Sequence, residues 1–176
     1  RPRTGRILPE VTGLNETQFL VFTVGDRRYA LPAVDVERVH AAVEVTVAPG
    51  APESLRGVIS CAGVPVPVVD LRARFGLPQR RILPSDRLLF VRARTRNGGD
   101  ARLFALLVDD VDGVTALSPE RVSPPDVAED IFDEFFAGVA GGDGGVLCVP
   151  SASALFSITE EELSIIGGLV TGGEAG

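Results

Sequence analysis

The chain has 176 residues and a formal net charge of −7, and 45% of its residues are hydrophobic. This composition is that of one ordinary globular domain, and the acidic surplus excludes a typical nucleic-acid binder, which carries a basic patch. Apart from His40, every basic side chain is an arginine. No apolar run approaches the ~20 residues needed to cross a bilayer, so we expect a cytoplasmic protein without membrane insertion.

The first part of the chain predicts a leader followed by a hairpin. Residues 1–16 contain two prolines and two glycines and show little periodicity, so we expect a flexible leader. Two β-rich runs, residues 18–24 and 27–31, flank the turn dipeptide at residues 25–26. Two such runs around Gly-Asp are typical of a β-hairpin.

The next elements lead into the most apolar part of the chain. Residues 33–39 carry valines three apart and predict a short helix, whereas residues 43–47 alternate polar and apolar side chains and predict a strand. The run 55–70 is mostly apolar, but Pro65 and Pro67 each remove a backbone donor from it. We therefore expect residues 64–70 to form a strand at a sheet edge, at a bulge or at a barrel corner.

The second half of the chain predicts further short strands and one helix. Residues 71–75 are predicted to form one helical turn that ends at Gly76, as a C-terminal glycine cap does. Residues 138–145 predict a glycine-rich turn, and Thr159 is a suitable N-cap for a helix over residues 157–166. The remaining predicted strands are residues 87–94, 102–108, 111–117, 131–136 and 146–149. Many short strands with regular turn signals indicate an all-β barrel or sandwich.

Residue patterns for catalysis or metal binding are missing from the sequence. Metal sites need several ligands at set spacings, and His40 is the single histidine, expected on the surface. Cys61 with His40 is the one conceivable nucleophile–base pair, but Cys61 lies in an apolar run that would raise its pKa. We expect Cys61 and Cys148 to be buried, reduced thiols. A non-enzymatic interaction module is therefore the leading class.

Several segments resemble CheW-like domains. Residues 22–32 resemble the opening hairpin of that family, and residues 36–39 resemble the segment that follows it. The most specific match is residues 55–76, which carry Gly-Val-Ile, then Val-Pro-Val-Val-Asp-Leu-Arg, then Phe. Residues 106–111 resemble the family's strand with apolar-Val-Asp-x-Val. The resemblance extends over residues 18–166, and the order and spacing of the segments make it specific.

The resemblance implies a fold and a function. It implies an all-β domain over residues 17–168, with two small five-stranded SH3-like β-barrels on a shared core, short helical turns and a C-terminal helix. Residues 169–176 would be a flexible tail. The implied function is a scaffold without a cofactor that couples chemoreceptors to the histidine kinase CheA in the cytoplasm, recruited to membrane receptor arrays. Its partners would be the CheA regulatory domain and the cytoplasmic tip of a chemoreceptor.

Two alternatives stay open at this point. The chain could be a CheW-like regulatory domain of a larger signalling protein, either the C-terminal domain of a kinase or a coupler fused to a receiver, since the sequence lacks an initiator methionine. It could also be a coupler in a pathway other than chemotaxis, such as gliding or pilus motility.

Motif matching assigns residues to two roles. The candidate partner-binding residues are Val36, Glu37, Val39, Ala62, Val64, Leu106 and Val108. For residues 36–39 the alternative is that the valines are core and the glutamate is merely solvated, and burial alone would explain Leu106 and Val108. The candidate structural residues are Gly57, Gly63, Pro67, Asp70 and Arg72. The glycines would permit tight turns, and Asp70 with Arg72 would hold a corner through hydrogen bonds.

One position departs from the family motif. Where the family usually has Asn-Leu-Arg-Gly, this chain has Ser60-Cys61-Ala62-Gly63, so Ala62 stands at the place of the arginine. An arginine offers five donors and a permanent charge, and alanine offers neither. In the family this region borders the groove used by receptors. We therefore expect an altered receptor contact or a partner with altered chemistry.

Overall fold

In the computed structural model, β-strands make up most of the described residues. The structure describes residues 17–95, 98–118, 122–123, 136–142, 145–150 and 155. The strands are β1 (Thr17–Val24), β2 (Arg27–Pro32), β3 (Val36–Ala41), β4 (Thr46–Val47), β5 (Leu55–Cys61), β6 (Val64–Asp70), β7 (Arg87–Thr95), β8 (Gly98–Val108), β9 (Asp110–Leu117), β10 (Val122–Ser123), β11 (Phe136–Gly142) and β12 (Gly145–Pro150). The helical segments with described bounds are a 3-10 turn, Ala33–Asp35, and one α-helical turn, α1 (Leu71–Arg74), and Leu155 is also helical.

The strands form two six-stranded sheets. The first sheet has the order β10-β11-β12-β2-β1-β9, and the second has the order β3-β7-β8-β6-β5-β4. Neighbouring strands are antiparallel except for the parallel pairs β12–β2 and β6–β8. The predicted all-β class is confirmed. The two-residue strands β4 and β10 bring each sheet to six strands where five were expected.

Strands of both sheets are buried on two faces. Along β1, Leu20 and Phe22 lie in a cluster shared with the second sheet, whereas Phe19 and Val21 lie in a cluster within the first sheet. The strands β6, β7 and β8 divide their side chains in the same way between the shared cluster and a third cluster within the second sheet. Because successive side chains of a strand point to opposite faces, burial of both faces requires nearly continuous apolar runs.

The predicted helix over residues 33–39 is wrong beyond its first residues. Only residues 33–35 are helical, and β3 follows in antiparallel pairing with β7. A register shift between Val36 and Arg38 marks a bulge in β3. The extra residue resets the two-residue alternation, so valines three apart imitate a helical pattern. The predicted strand over residues 43–47 is confirmed only for Thr46–Val47.

β6 is an interior strand of the second sheet, but its prolines lie in a stretch that pairs on one side only, so the expectation of an edge, a bulge or a corner is met by a local sheet edge. β6 pairs with β5 along its length, but its pairing with β8 covers only Val68–Asp70. Residues two apart direct their backbone groups to the same side of a strand. Both donors that Pro65 and Pro67 lack therefore fit the open side, where β8 offers no partner. A register shift between Leu55 and Gly57 places a bulge in the neighbouring β5.

Other local predictions have mixed outcomes. The hairpin β1–β2 is confirmed, and so is the helical turn α1, which is followed by Gly76 at φ +76°. The glycine-rich turn predicted over residues 138–145 is shorter, because residues up to Gly142 belong to β11 and pair with β12. The predictions for residues 1–16, 131–135, 157–166 and 169–176 fall outside the described residues.

Candidate partner-binding groove

A groove of about 490 Å³ opens on the second sheet. It lies beside the part of β6 that has no pairing with β8. We call it the arginine groove, and its described lining residues are Glu37, Arg38, Cys61, Ala62, Val64, Pro65, Pro67, Arg92, Arg102 and Leu103. These residues come from β3, β7, β8 and the β5–β6 hairpin. The groove thus brings together four of the residues singled out from the sequence: Glu37, Ala62, Val64 and Pro67.

The hairpin turn at the groove has an unusual backbone. Ala62 and Gly63 join β5 to β6 with φ values of +52° and +82°, and Cys61 pairs directly with Val64. Positive φ at both central residues identifies a type I′ turn, which favours Asn-Gly or Gly-Gly. Within the described part of the chain, Ala62 is the one non-glycine residue with positive φ. The position of the family's arginine is therefore a left-handed turn position at the rim of the groove.

The residues of β3 separate into a buried and an exposed group. Val36 is partly buried and packs against the shared core, whereas Glu37 is exposed and forms an ion pair with Arg92. Val39 is 38% exposed. Arg38 lies over the ring of Phe90 at 4.7 Å from its centroid and also donates to the sulfur of Cys61. Of the two readings of residues 36–39, the structure assigns Val36 to the core, and Glu37 and Val39 to the surface.

Leu106 and Val108 do not line the groove or any open surface. Their exposed fractions are 0% and 1%, and both belong to the cluster shared by the two sheets. They lie on the face of β8 that packs between the sheets, opposite the face that carries Ala105 and Leu107. Their assignment as groove residues is therefore corrected to core residues.

Both cysteines are free, and each is half-buried rather than fully buried as expected. Cys61 lines the arginine groove. Burial raises the pKa of the Cys148 thiol, with an opposing effect of the charge on Arg27. Among the described residues, no cluster of three or more histidine, cysteine or acidic side chains could hold a metal ion. No helix in the described part of the chain is long and apolar enough to cross a membrane.

Gly57 occupies the bulge of β5 because no side chain fits there. Its φ is +155°, and a Cβ atom built on it would lie 2.0 Å from the carbonyl oxygen of Thr46 in β4. A close backbone approach of this kind is a position that requires glycine. Gly57 therefore lets the edge strand β4 pair with β5.

Asp70 and Arg72 hold the corner between β6 and α1. The Asp70 carboxylate is 1% exposed and accepts from the backbone N–H of Arg72 at 2.9 Å and of Ala73 at 3.4 Å, which makes Asp70 the N-cap of α1. Its other oxygen accepts from the guanidinium of Arg56 at 2.7 Å. The short helix is thus anchored by a buried ion pair as well as by its cap.

A further ionic network, which no sequence motif predicts, joins the two sheets. Asp109 accepts from the backbone N–H of Gly25 at 2.8 Å and from the guanidinium of Arg72 at 2.7 Å. Arg80 also pairs with Asp109 at 3.1 Å and with Asp86 at 2.9 Å. Gly25 lies in the β1–β2 turn of the first sheet, so this network links that turn to the segment after α1. No sequence spacing connects these residues.

Asp86 is a buried acid that stays charged. Burial alone would raise the pKa of its carboxyl group, but the hydrogen bond from Arg80, the backbone N–H of Leu83 and nearby positive charges outweigh burial. The pKa of Asp86 therefore lies below the ordinary value for aspartate. The Asp86–Arg80 pair is ionised at neutral pH and can stabilise the loop before β7.

Comparison with known proteins places this geometry in a family. The family model described as CheW-like domain matches residues 18–160. The "Probable chemotaxis protein CheW" of Rhizobium etli is 28% identical over 155 residues, which are 86% of this chain and 96% of the relative. Protein FrzA of Myxococcus xanthus is 30% identical over 129 residues, or 73% of this chain and 77% of that protein.

A solved structure supports the same assignment. The scaffolding protein TtCheW from Thermoanaerobacter tengcongensis matches with a TM-score of 0.70 and 27% identity, over 83% of this chain and 96% of that chain. The predicted pair of SH3-like barrels agrees with this likeness and with the two sheets around a shared core. Because the family model covers most of its length, the chain belongs to the CheW-like domain family.

Proposed function

We propose that this chain is a non-enzymatic coupling protein that holds a chemoreceptor tip and the regulatory domain of the histidine kinase CheA together in the cytoplasm, at membrane receptor arrays. Membership of the CheW-like family supports this proposal, and so does the name "scaffolding protein" given to the structural relative. The observation that carries the proposal is a groove with exposed apolar side chains and a charged rim, which is a surface suited to docking a protein.

The receptor tip is proposed to dock in the arginine groove, and the kinase domain on a barrel end. Val64 is 57% exposed at the groove, and Val39 is 38% exposed on β3, the strand that supplies Glu37 and Arg38 to the groove. Exposed valines beside charged side chains resemble the apolar centre and polar rim of a protein interface. The remaining candidates of this surface are Glu37 and Ala62, which line the groove.

Coupling through this protein requires the two sheets to respond as one body. The shared core and the contacts of Asp109 with Gly25, Arg72 and Arg80 tie the sheets together. A partner that binds one conformation of the protein more tightly than another shifts the conformational equilibrium, and this shift changes the affinity for a second partner. Receptor states would in this way bias kinase states without any reaction on the scaffold.

The test compares two valines with matched exposure. Val64→Gln removes an apolar contact at the groove, and Val114→Gln is the control, because Val114 is 58% exposed on β9 of the first sheet. We expect Val64→Gln to weaken binding of a purified receptor tip by about tenfold in calorimetry, and Val114→Gln to leave it unchanged. Both variants should keep the thermal midpoint, because neither side chain is buried.

Two outcomes would contradict the proposal. If the wild-type chain binds neither the receptor tip nor the CheA regulatory domain from the same cell, the coupling function is wrong. If the two glutamine variants weaken receptor binding equally, the receptor does not dock in the arginine groove.

A coupler in a pathway other than chemotaxis, such as gliding or pilus motility, is the second candidate. The chain is 30% identical to FrzA, which is similar to its 28% identity to the Rhizobium etli protein and its 29% identity to CheW of Rhizobium meliloti. Where a cell has several CheA-type kinases, calorimetry against the regulatory domain of each would distinguish the two pathways. Preference for the kinase of the chemotaxis system would exclude the second candidate.

A further inference from the structure

The arginine groove carries a local charge opposite in sign to the net charge of the protein. The whole chain carries a net charge of −7, yet the described residues that line the groove include three arginines and one acid, Glu37. Three positive charges and one negative charge leave a local surplus of two positive charges. Charge patterns of this kind steer a partner of the opposite sign and help to exclude partners of the same sign.

Contacts within the groove hold two of the arginines at its wall. Arg92 forms an ion pair with Glu37, and Arg38 lies over the ring of Phe90 and donates to Cys61. Arg102 reaches the same groove from β8. Guanidinium groups presented on strands can bind carboxylates in a forked geometry with less loss of side-chain freedom than mobile lysines.

Apolar surface occupies another part of the groove. Val64 and Pro65 are exposed, and Leu103 is half-buried beside them. A polyphosphate chain has no apolar groups to place against these side chains. The combination of guanidinium groups and valine, proline and leucine side chains fits a polypeptide segment with both carboxylate and apolar side chains.

We infer that the occupant of the arginine groove is an acidic, partly apolar segment of the partner, and that Arg38, Arg92 and Arg102 supply the positive charge that Ala62 does not. The inference rests on the proposed function and names the chemistry of the receptor segment. Ala62 and these arginines line one groove, so a guanidinium at the turn and guanidiniums on the strands would serve the same ligand.

The test is calorimetry of the full chain with the receptor tip at low and high salt. Arg102→Glu should weaken binding by about tenfold or more at low salt, and the wild-type affinity should fall as salt rises. Arg81→Glu is the matched control, because Arg81 is exposed and lies outside the lining of the groove. This control makes the same change of charge and should alter the affinity by less than about twofold.

A second variant, Ala62→Arg, tests the inference even if Arg102→Glu has a folding defect. Ala62→Arg, made on the wild-type chain, should strengthen binding, and in the Arg102→Glu background it should restore part of the lost affinity. Equal losses for Arg102→Glu and Arg81→Glu would overturn the inference and leave the coupling function standing. Absence of wild-type binding to both partners would overturn both. Displacement of the receptor tip by a single-stranded oligonucleotide would also overturn the inference, because the groove would then bind phosphate.

Discussion

Replacing Asp70 with alanine should destabilise the protein by about 4 kcal/mol, with the loss divided between two contacts. The carboxylate caps α1 through the N–H groups of Arg72 and Ala73, and loss of an N-cap costs about 1 kcal/mol. The same carboxylate also forms an ion pair with Arg56, whose side chain is 21% exposed. Removal of one member of a buried ion pair costs about 3 to 5 kcal/mol, and the lower end applies because Arg56 keeps some solvent contact and the carbonyl of Arg80.

The assay is thermal and urea unfolding of the wild type and two matched variants. For a chain of this length, a loss of about 4 kcal/mol lowers the thermal midpoint by about 8 to 16 °C. Asp112→Ala is the control, because Asp112 also pairs with an arginine, Arg28, but both side chains are 33% exposed. A surface pair of this kind contributes at most about 1 kcal/mol.

A double-mutant cycle of Asp70 with Arg56 separates the ion pair from the cap. The coupling energy should be above about 1 kcal/mol, because the two side chains share one buried hydrogen bond. A loss of stability for Asp70→Ala no larger than that for Asp112→Ala would contradict the roles of the cap and the buried ion pair. Absence of coupling between Asp70 and Arg56 would contradict the ion pair alone.

Two further predictions concern a bulge and the single tyrosine. Gly57→Ala should lower the free energy of unfolding by about 2 to 4 kcal/mol, because the new Cβ atom would clash with the Thr46 carbonyl oxygen. Gly63→Ala is the control and should cost only about 1 to 2 kcal/mol, because its Cβ would have no atom within 4 Å and only the left-handed backbone is unfavourable. Equal losses in thermal unfolding would contradict the role of the close approach at Gly57. Burial, aided by Cys148 and opposed by Arg27, raises the pKa of Tyr29 to about 12. Titration of absorbance at 295 nm should therefore give a midpoint about two units above that of the urea-unfolded chain. Because the fold favours the neutral phenol, the contribution of Tyr29 to stability should be constant below about pH 10 and be lost between about pH 10 and 12. A folded-state midpoint near 10 would contradict this.

Much of the fold could be predicted from local sequence signals. Gly25-Asp26 between two β-rich runs predicts the hairpin, and the run after Asp70 predicts the helical turn that precedes Gly76. These signals succeed because turns and caps depend on neighbouring residues. The bulge in β3 shows the limit of this reasoning, since one extra residue converts a strand pattern into an apparent helical one.

Part of the candidate site could also be predicted, because the motif over residues 55–76 marks the β5–β6 hairpin. The same motif could not show that Ala62 adopts positive φ at the centre of a type I′ turn. Nor could alternation along β8 show that Leu106 faces the shared core, because both faces of that strand are buried and both carry apolar residues.

The amino-acid sequence alone indicates the all-β class, the CheW-like family and the absence of the arginine at position 62. The tertiary fold brings Arg38, Arg92 and Arg102 into one groove, and it links the β1–β2 turn to Arg72 through Asp109. Turns and strand periodicity are local properties of the chain, whereas the proximity of charges from β3, β7 and β8 depends on strand order and register. Those are set by the packing of all the strands together.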